Sequence, residues 1–215
     1  MKRACKILIT KGMIKIPASS IRYLKIEPFN RMKAVFIFIF LFGWQGVLWG
    51  QEEMIVLNNE PVDFKAEGFY IKDVTDGRPD KENIGYIRKG LIKKKKIPAH
   101  FKDGLEKAIY TYLKQSLRQD TTSVPVVLRI TRLNISESKG LPVKGKAEVT
   151  MEFFREKGGS LGKLYEAEAF VEKPAVDVSG THEERIRSVI NTCLKSFNAT
   201  DWQSVTPVYF KERDQ

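Results

Sequence analysis

Three stretches of alternating apolar and polar residues restrict the fold of this chain more than any other feature of its sequence. They cover residues 124–135, 145–155 and 163–173, and short turns rich in Ser, Gly and Lys separate them. Because successive side chains of a β-strand point to opposite faces of the sheet, each stretch predicts a strand with one buried face. In the middle stretch the apolar face comprises Ala147, Val149, Met151 and Phe153, and the polar face comprises Lys146, Glu148, Thr150 and Glu152. We therefore expect consecutive antiparallel hairpins in one sheet.

Two stretches with helical periodicity lie on either side of these strands. In each, apolar residues recur at the spacing of one helix face and charged residues occupy the other face. The two apolar faces comprise Phe101, Leu105, Ala108, Ile109, Tyr112, Leu113 and Leu117, and then Ile186, Val189, Ile190, Cys193, Leu194 and Phe197. Thr181 and Glu184 have the spacing of a capping box, so the second helix is predicted to begin at Thr181.

Two extended segments precede the first helix. Residues 68–76 alternate and end in the turn-forming residues 76–79, and residues 84–97 contain two glycines and end at Pro98. The second segment predicts two short strands or one bent strand. The resulting order, β-β-α-β-β-β-α, predicts a two-layer α+β fold with a mainly antiparallel sheet and two helices packed on one face.

An uncharged stretch at residues 34–49 bears on where the protein resides. As a helix it would span about 24 Å, which is short against a hydrocarbon core of about 30 Å. Met32 and Lys33 precede it, so a translation start at Met32 would give residues 32–50 the layout of a signal peptide cleaved after Gly50. The alternative is an uncleaved inner-membrane anchor. Both alternatives predict that residues 51–215 are exported, either into the periplasm or out of the cell.

The rest of the chain divides around one predicted domain. Residues 1–31 are expected to be a mis-called or disordered basic extension, and residues 51–65 an N-terminal segment. Residues 66–199 form the predicted single α+β domain, and residues 200–215 a loosely held C-terminal tail. Bacterial lipoprotein signals place a Cys after the cleavage site, whereas Gln51 stands there in this chain. No stable lipid anchor is therefore expected.

The net charge of +11 would indicate a nucleic-acid partner if the basic excess were uniform. It is concentrated instead in residues 1–50, which hold nine basic residues and one acidic residue. Residues 51–215 hold 28 basic and 25 acidic residues, a nearly balanced charge. We therefore predict no nucleic-acid partner.

No motif for catalysis or metal binding is recognisable. His100 and His182 lack another His or Cys at the spacing of a metal site. Cys193 lies on an apolar helix face, which predicts a core residue and not a nucleophile. Residues 140–147 approach the phosphate-binding loop pattern, but Ala147 replaces the required hydroxyl residue and the segment continues as a strand. We expect no catalytic residue, no metal site and no cofactor.

One local charge run points to a partner. Lys93, Lys94, Lys95 and Lys96 are consecutive, and Arg88 and Lys89 precede them on the same extended segment. One interpretation is a solvated strand whose lysines discourage pairing with other sheets. The other is a surface for an anionic partner: lipid headgroups, acidic envelope glycans or an envelope protein.

The motif Asp73-Val-Thr-Asp76-Gly-Arg78, with Ile84-Gly85 shortly after it, occurs at the end of the first predicted strand. Together with the order of elements over residues 66–198, it resembles the YajG-like envelope lipoproteins and related transport-auxiliary lipoproteins of Gram-negative bacteria. The resemblance implies a small α+β domain on the periplasmic side without catalytic residues. Gln51 departs from the family pattern by removing the Cys that carries the lipid.

Two functions of different classes are compatible with these features. The first, which we favour, is an exported, non-catalytic periplasmic or envelope protein that acts as a binding or assembly module. The alternative is an exported hydrolase whose site is not recognisable from one sequence. A deep pocket that brings together Asp73, Asp76 or His100 would favour the hydrolase.

Overall fold

The secondary structure comes from a computed structural model, which describes residues 52–89, 95–138, 142–174 and 181–211. The strands are β1 (Glu53–Ile55), β2 (Phe69–Asp76), β3 (Tyr86–Lys89), β4 (Lys95–Phe101), β5 (Val124–Glu137), β6 (Lys144–Lys157), β7 (Ser160–Pro174) and β8 (Tyr209–Phe210). The helices are α1 (Leu105–Ser116) and α2 (His182–Asn198). The order of elements roughly matches the predicted one, with β1, the separate β4 and β8 as additions.

The strands form two sheets. The larger has the order β2-β5-β6-β7-β8, in which β2 runs parallel to β5 and the other neighbours are antiparallel. Its three central strands are the three alternating stretches of the sequence, so that prediction is confirmed. The smaller sheet has the order β1-β4-β3, with β1 parallel to β4 and β3 antiparallel to it.

Both helices cover the same face of the larger sheet. The Tyr112 hydroxyl of α1 donates a hydrogen bond to Asn191 Oδ1 of α2 at 2.9 Å, so the two helices are neighbours. The Phe197 ring of α2 stacks on the Phe153 ring of β6, with 4.2 Å between centroids. The predicted apolar faces of α2 and β6 are fully buried in one core. The predicted α+β fold with two helices on one face is confirmed.

The segments on either side of the predicted domain also belong to it. Residues 52–65 contribute β1 and two core side chains, Leu57 and Val62. At the other end, Trp202 is buried edge-on against Phe69, and β8 pairs with the start of β7. Of the predicted loosely held tail, Trp202 and β8 contact the domain, whereas most other side chains of residues 200–211 are exposed. These contacts join positions far apart in sequence, which periodicity does not report.

Three local predictions also need correction. The helix α1 begins at Leu105 and not at Phe101, because β4 continues through Pro98 to Phe101. The strand tolerates Pro98 because the β1 ladder begins opposite Ala99, one residue later. Thr181 is the N-cap residue of α2, but it makes no side-chain capping hydrogen bond, so the predicted capping box is not formed.

Candidate anion-binding surface

The hairpin of β3 and β4 carries the basic residues that the sequence singled out. Its register places Arg88 opposite Lys96 and Lys89 opposite Lys95. Like charges directly opposite each other on neighbouring strands destabilise a sheet. The hairpin thus concentrates positive charge at a cost to its own stability. Lys93 and Lys94 lie outside the described residues.

The two faces of the hairpin differ. Tyr86, Arg88 and Lys96 lie on the outer face, which we call the cationic face; the Lys96 Nζ lies 3.9 Å from the centre of the Tyr86 ring. Tyr86 is 38% exposed, so the ring is available to a ligand. Lys89 and Lys95 are on the opposite face, where Lys89 forms an ion pair with Glu53 of β1.

Glu137, at the end of β5, fixes the position of the hairpin. One of its carboxylate oxygens accepts the backbone N–H of Arg88 at 3.1 Å, and the other contacts Nε2 of His182 at 3.0 Å. Both side chains are almost completely buried. Burial lowers the pKa of His182 below its ordinary value, and the hydrogen bond and the charge of Glu137 offset this only in part. His182 is therefore a neutral structural residue that joins α2 to the hairpin through Glu137.

The motif at residues 73–78 contains an ion pair, which we call the clip, between Asp76 at the end of β2 and Arg78 in loop 77–83. The Arg78 guanidinium donates to both carboxylate oxygens of Asp76, at 2.9 and 2.8 Å, and Arg78 Nη1 donates to the carbonyl of Asn83 at 2.8 Å. Both charged side chains are buried. Burial opposes ionisation of Asp76, but the hydrogen bonds from Arg78 outweigh it and hold the Asp76 pKa below its ordinary value. The loop held by the clip is followed by the residues that contact β5.

The Ile84-Gly85 part of the motif makes the contact with β5. Gly85 has φ +119°, and a Cβ built on it would lie 2.0 Å from the carbonyl oxygen of Ile135. Only glycine combines this backbone conformation with such a close approach. The N–H of Ile135 donates to the carbonyl of Ile84 at 2.8 Å. The motif therefore has a structural explanation in this chain.

A cleft of about 430 Å³ adjoins the cationic face. It lies between loop 77–83 and β5, on the sheet surface opposite the helices, and Tyr86 forms one of its walls. Arg132 also lines it and is 62% exposed while bound to Glu148 at 2.9 Å. The sequence did not single out Tyr86, Arg132 or Glu137. Alternation alone places Tyr86 and Arg132 on strands, and the contact between those strands is visible only in three dimensions.

The cleft is not lined by Asp73, Asp76 or His100, the residues named above for a hydrolase site. Asp76 is fully occupied by Arg78, and His182 is buried against Glu137. Burial raises the pKa of the Cys193 thiol to about 12, which makes it unreactive at neutral pH. Cys193 is buried in the core, as predicted. Among the residues that the structure describes, no group of three His, Cys, Asp or Glu side chains could hold a metal ion.

Comparison with known proteins adds no relative. No protein-family model matches the chain, and no curated protein and no solved structure matches it either. The resemblance to the YajG-like lipoproteins therefore stays a prediction. Within the described part of the chain, no helix has both the length and the apolar character needed to cross a membrane.

Proposed function

We propose that this chain is an exported, non-catalytic binding module of the bacterial cell envelope that attaches to an anionic surface through the cationic face. The observation that carries the proposal is the facing of like charges across the β3–β4 ladder. Such pairs cost stability, and a bound anionic group would offset that cost. β3 is an edge strand of the smaller sheet, but its free edge is already occupied at Arg88, whose backbone N–H bonds Glu137.

Export and the envelope location rest on the signal-peptide pattern of residues 32–50. The non-catalytic character is supported by Asp76 and His182, whose side chains are held in buried pairs, and by the buried thiol of Cys193. The ligand would supply carboxylate or phosphate groups, which both acidic glycans and anionic lipids carry.

The expected binding is weak and reversible. A basic residue near an anionic membrane contributes about 1 kcal/mol, and salt screens this attraction over about 10 Å. The two basic residues of the cationic face would therefore give a salt-sensitive attachment and not a permanent anchor.

Co-sedimentation of the full chain with anionic vesicles, neutral vesicles and an insoluble acidic glycan, at low and high salt, tests the proposal. We expect the protein to sediment with at least one anionic material at low salt and to dissociate from it at high salt. It should not sediment with neutral vesicles. The two anionic arms identify the source of the anionic groups. Equal sedimentation with neutral vesicles, or none with either anionic material, would contradict the proposal.

A matched pair of variants assigns the binding to one hairpin face. Arg88→Glu/Lys96→Glu and Lys89→Glu/Lys95→Glu each change the net charge by the same amount and alter the same ladder. We expect only the first variant to lose binding, because only its residues lie on the cationic face. Equal losses of binding in both variants would show that binding depends on total charge, and would contradict the assignment of binding to the cationic face.

A further inference from the structure

Among the described residues, none pairs with the backbone of Leu133 in β5 on the side that faces the cleft. The N–H and C=O groups of successive residues alternate in direction along a strand. The Ile130 carbonyl accepts the N–H of Gly77 at 3.0 Å, and the N–H of Ile135 donates to the carbonyl of Ile84, so both residues face the same edge of β5. They do so although they are five positions apart, because a β-bulge between Ile130 and Arg132 shifts the alternation by one residue. Leu133 lies two residues before Ile135 in β5. Its N–H and C=O therefore point to the same edge, between the end of β2 and the start of β3.

Loop 77–83 does not close this gap. Its polar groups bond within the loop: Asn83 accepts Arg78 with its carbonyl and the N–H of Gly85 with its side-chain oxygen. No described residue makes a backbone hydrogen bond with Leu133 across the gap. Leu133 lines the cleft and is only 5% exposed. The Leu133 side chain belongs to the core, so its backbone N–H and C=O are the groups that it presents to the cleft. They suit a ligand that offers one acceptor and one donor side by side.

We propose that the cleft binds the N-acyl group of an amino sugar in an acidic envelope glycan. The amide carbonyl of the sugar accepts the N–H of Leu133, and the amide N–H donates to the carbonyl of Leu133, as a neighbouring strand would do. The Tyr86 ring packs against the sugar, and the basic side chains of the cationic face, beside the cleft, attract its acidic substituent. This inference rests on the proposed function and gives it a ligand class.

The size of the gap favours a sugar over an extended peptide. A peptide that adds to a sheet edge bonds several alternate residues in succession. Here the positions on either side of Leu133 are already occupied, because Gly77 bonds Ile130 and Ile84 bonds Ile135. One amide fits between them. A volume of about 430 Å³ is within the usual range of ligand pockets, about 300–1,000 Å³, and suits one or two sugar rings.

An NMR titration of the ¹⁵N-labelled full chain tests the assignment, with three sugars as probes. N-acetylmuramic acid has both the amide and the carboxylate, muramic acid lacks the acetyl group, and N-acetylglucosamine lacks the carboxylate. We expect N-acetylmuramic acid to shift the Leu133 amide resonance and muramic acid to leave it unchanged. N-acetylglucosamine is expected to shift it with about tenfold weaker affinity. Equal responses to muramic acid and its acetylated form, or no response at Leu133, would overturn the assignment.

Substitutions at Tyr86 test whether its ring, which forms one wall of the cleft, contributes to binding independently of charge. Tyr86→Ala is expected to weaken N-acetylmuramic acid binding by about tenfold, and Tyr86→Phe to retain most of it, because the ring makes the contact. Phe170→Ala, an exposed aromatic on β7, is the control and is expected to bind normally. Unchanged binding by Tyr86→Ala would overturn the proposed site.

The outcomes also separate this inference from the proposed function. Binding to anionic materials without any preference for the acetylated sugar would overturn the cleft assignment and leave the cationic face intact. Loss of binding to anionic materials together with loss of the preference for the acetylated sugar would overturn both proposals. Tighter binding of an acetylated dipeptide amide than of any sugar would replace the glycan with a peptide and overturn the ligand class.

Discussion

The cationic face of the β3–β4 hairpin and the outer surface of β6 and β7 treat their charges in opposite ways. On β6 and β7, which we call the ion-paired surface, the charged side chains are held in ion pairs. Even where Glu152 faces Glu166 across the strands, Lys163 lies between the two carboxylates. Glu172 bonds Lys144 and Lys146, each at 2.8 Å, and Lys163 bonds Glu152 at 2.7 Å and Glu166 at 2.5 Å. On the hairpin, Arg88 faces Lys96.

The difference separates charges that stabilise the sheet from charges that are available to a partner. Opposite charges across neighbouring strands contribute about 0.2–1 kcal/mol, and like charges cost a similar amount. The ion-paired surface therefore needs nothing further to be stable. The cationic face has charge left over, and it lies beside the cleft that contains Leu133.

Loss of the core that supports both regions would have the largest effect. Ile190→Asp would place an unpaired carboxylate in the core of α2, where Ile190 is fully buried, and should lower the free energy of unfolding by several kcal/mol. Thermal and chemical denaturation measure the change. Glu184→Ala, which removes an exposed partner of Lys173, is the control and should be nearly silent. A variant Ile190→Asp that melts like the parent would contradict the packing described for α2.

Removal of the Glu137 side chain should destabilise the β3–β4 hairpin more than the ion-paired surface. Glu137→Ala leaves the Arg88 N–H and His182 without their common partner, which should cost about 2–3 kcal/mol in the free energy of unfolding. Amide hydrogen exchange should accelerate in β3 and β4 more than in β6 and β7. Uniform acceleration across both regions would show that Glu137 supports the whole domain and not the hairpin.

Charge reversal should change the stability of the two regions in opposite directions. Lys96→Glu creates an opposite-charge pair with Arg88 and should stabilise the protein by a few tenths of a kcal/mol. Lys146→Glu breaks a pair with Glu172 and should destabilise it by a similar amount. Equilibrium unfolding at low salt measures both variants. Changes of the same sign would contradict the contrast between the regions.

A smaller effect is expected from pH. Since the folded-state pKa of His182 is below the ordinary 6.5, the unfolded chain binds a proton that the folded chain does not as pH falls below 6.5. Stability should therefore decrease from pH 7 downwards. His182→Gln can still donate to Glu137 but does not titrate, so its stability should depend less on pH in this range. An identical pH dependence in both proteins would contradict the neutral state of His182.

The sequence predicted the parts of the molecule that repeat locally. The alternation of residues 145–155 and the stripe that contains Ile190 and Cys193 were sufficient to predict β6 and α2 with their buried faces. Trp202 could not be placed, because its contact with Phe69 joins distant parts of the chain.

The candidate site was predicted only in part. The basic residues Arg88, Lys89, Lys95 and Lys96 were identified from their sequence, but their division between two faces depends on the register of the hairpin. The gap at Leu133 arises because β2 ends beside β5 and the chain contacts β5 again only further along, at Ile84 and Gly85. No local pattern reports that event.

The most direct test of the central claim is the affinity of Lys96→Glu and Lys146→Glu for the anionic material that binds the parent. Both variants change the net charge equally. Reversal of one effective charge removes one attraction and adds one repulsion, about 2 kcal/mol, so Lys96→Glu should weaken binding by about 30-fold at low salt. Lys146→Glu should leave the affinity nearly unchanged, because Lys146 lies on β6, outside the cationic face, and is paired with Glu172. Equal losses in the two variants, or none in Lys96→Glu, would contradict the account.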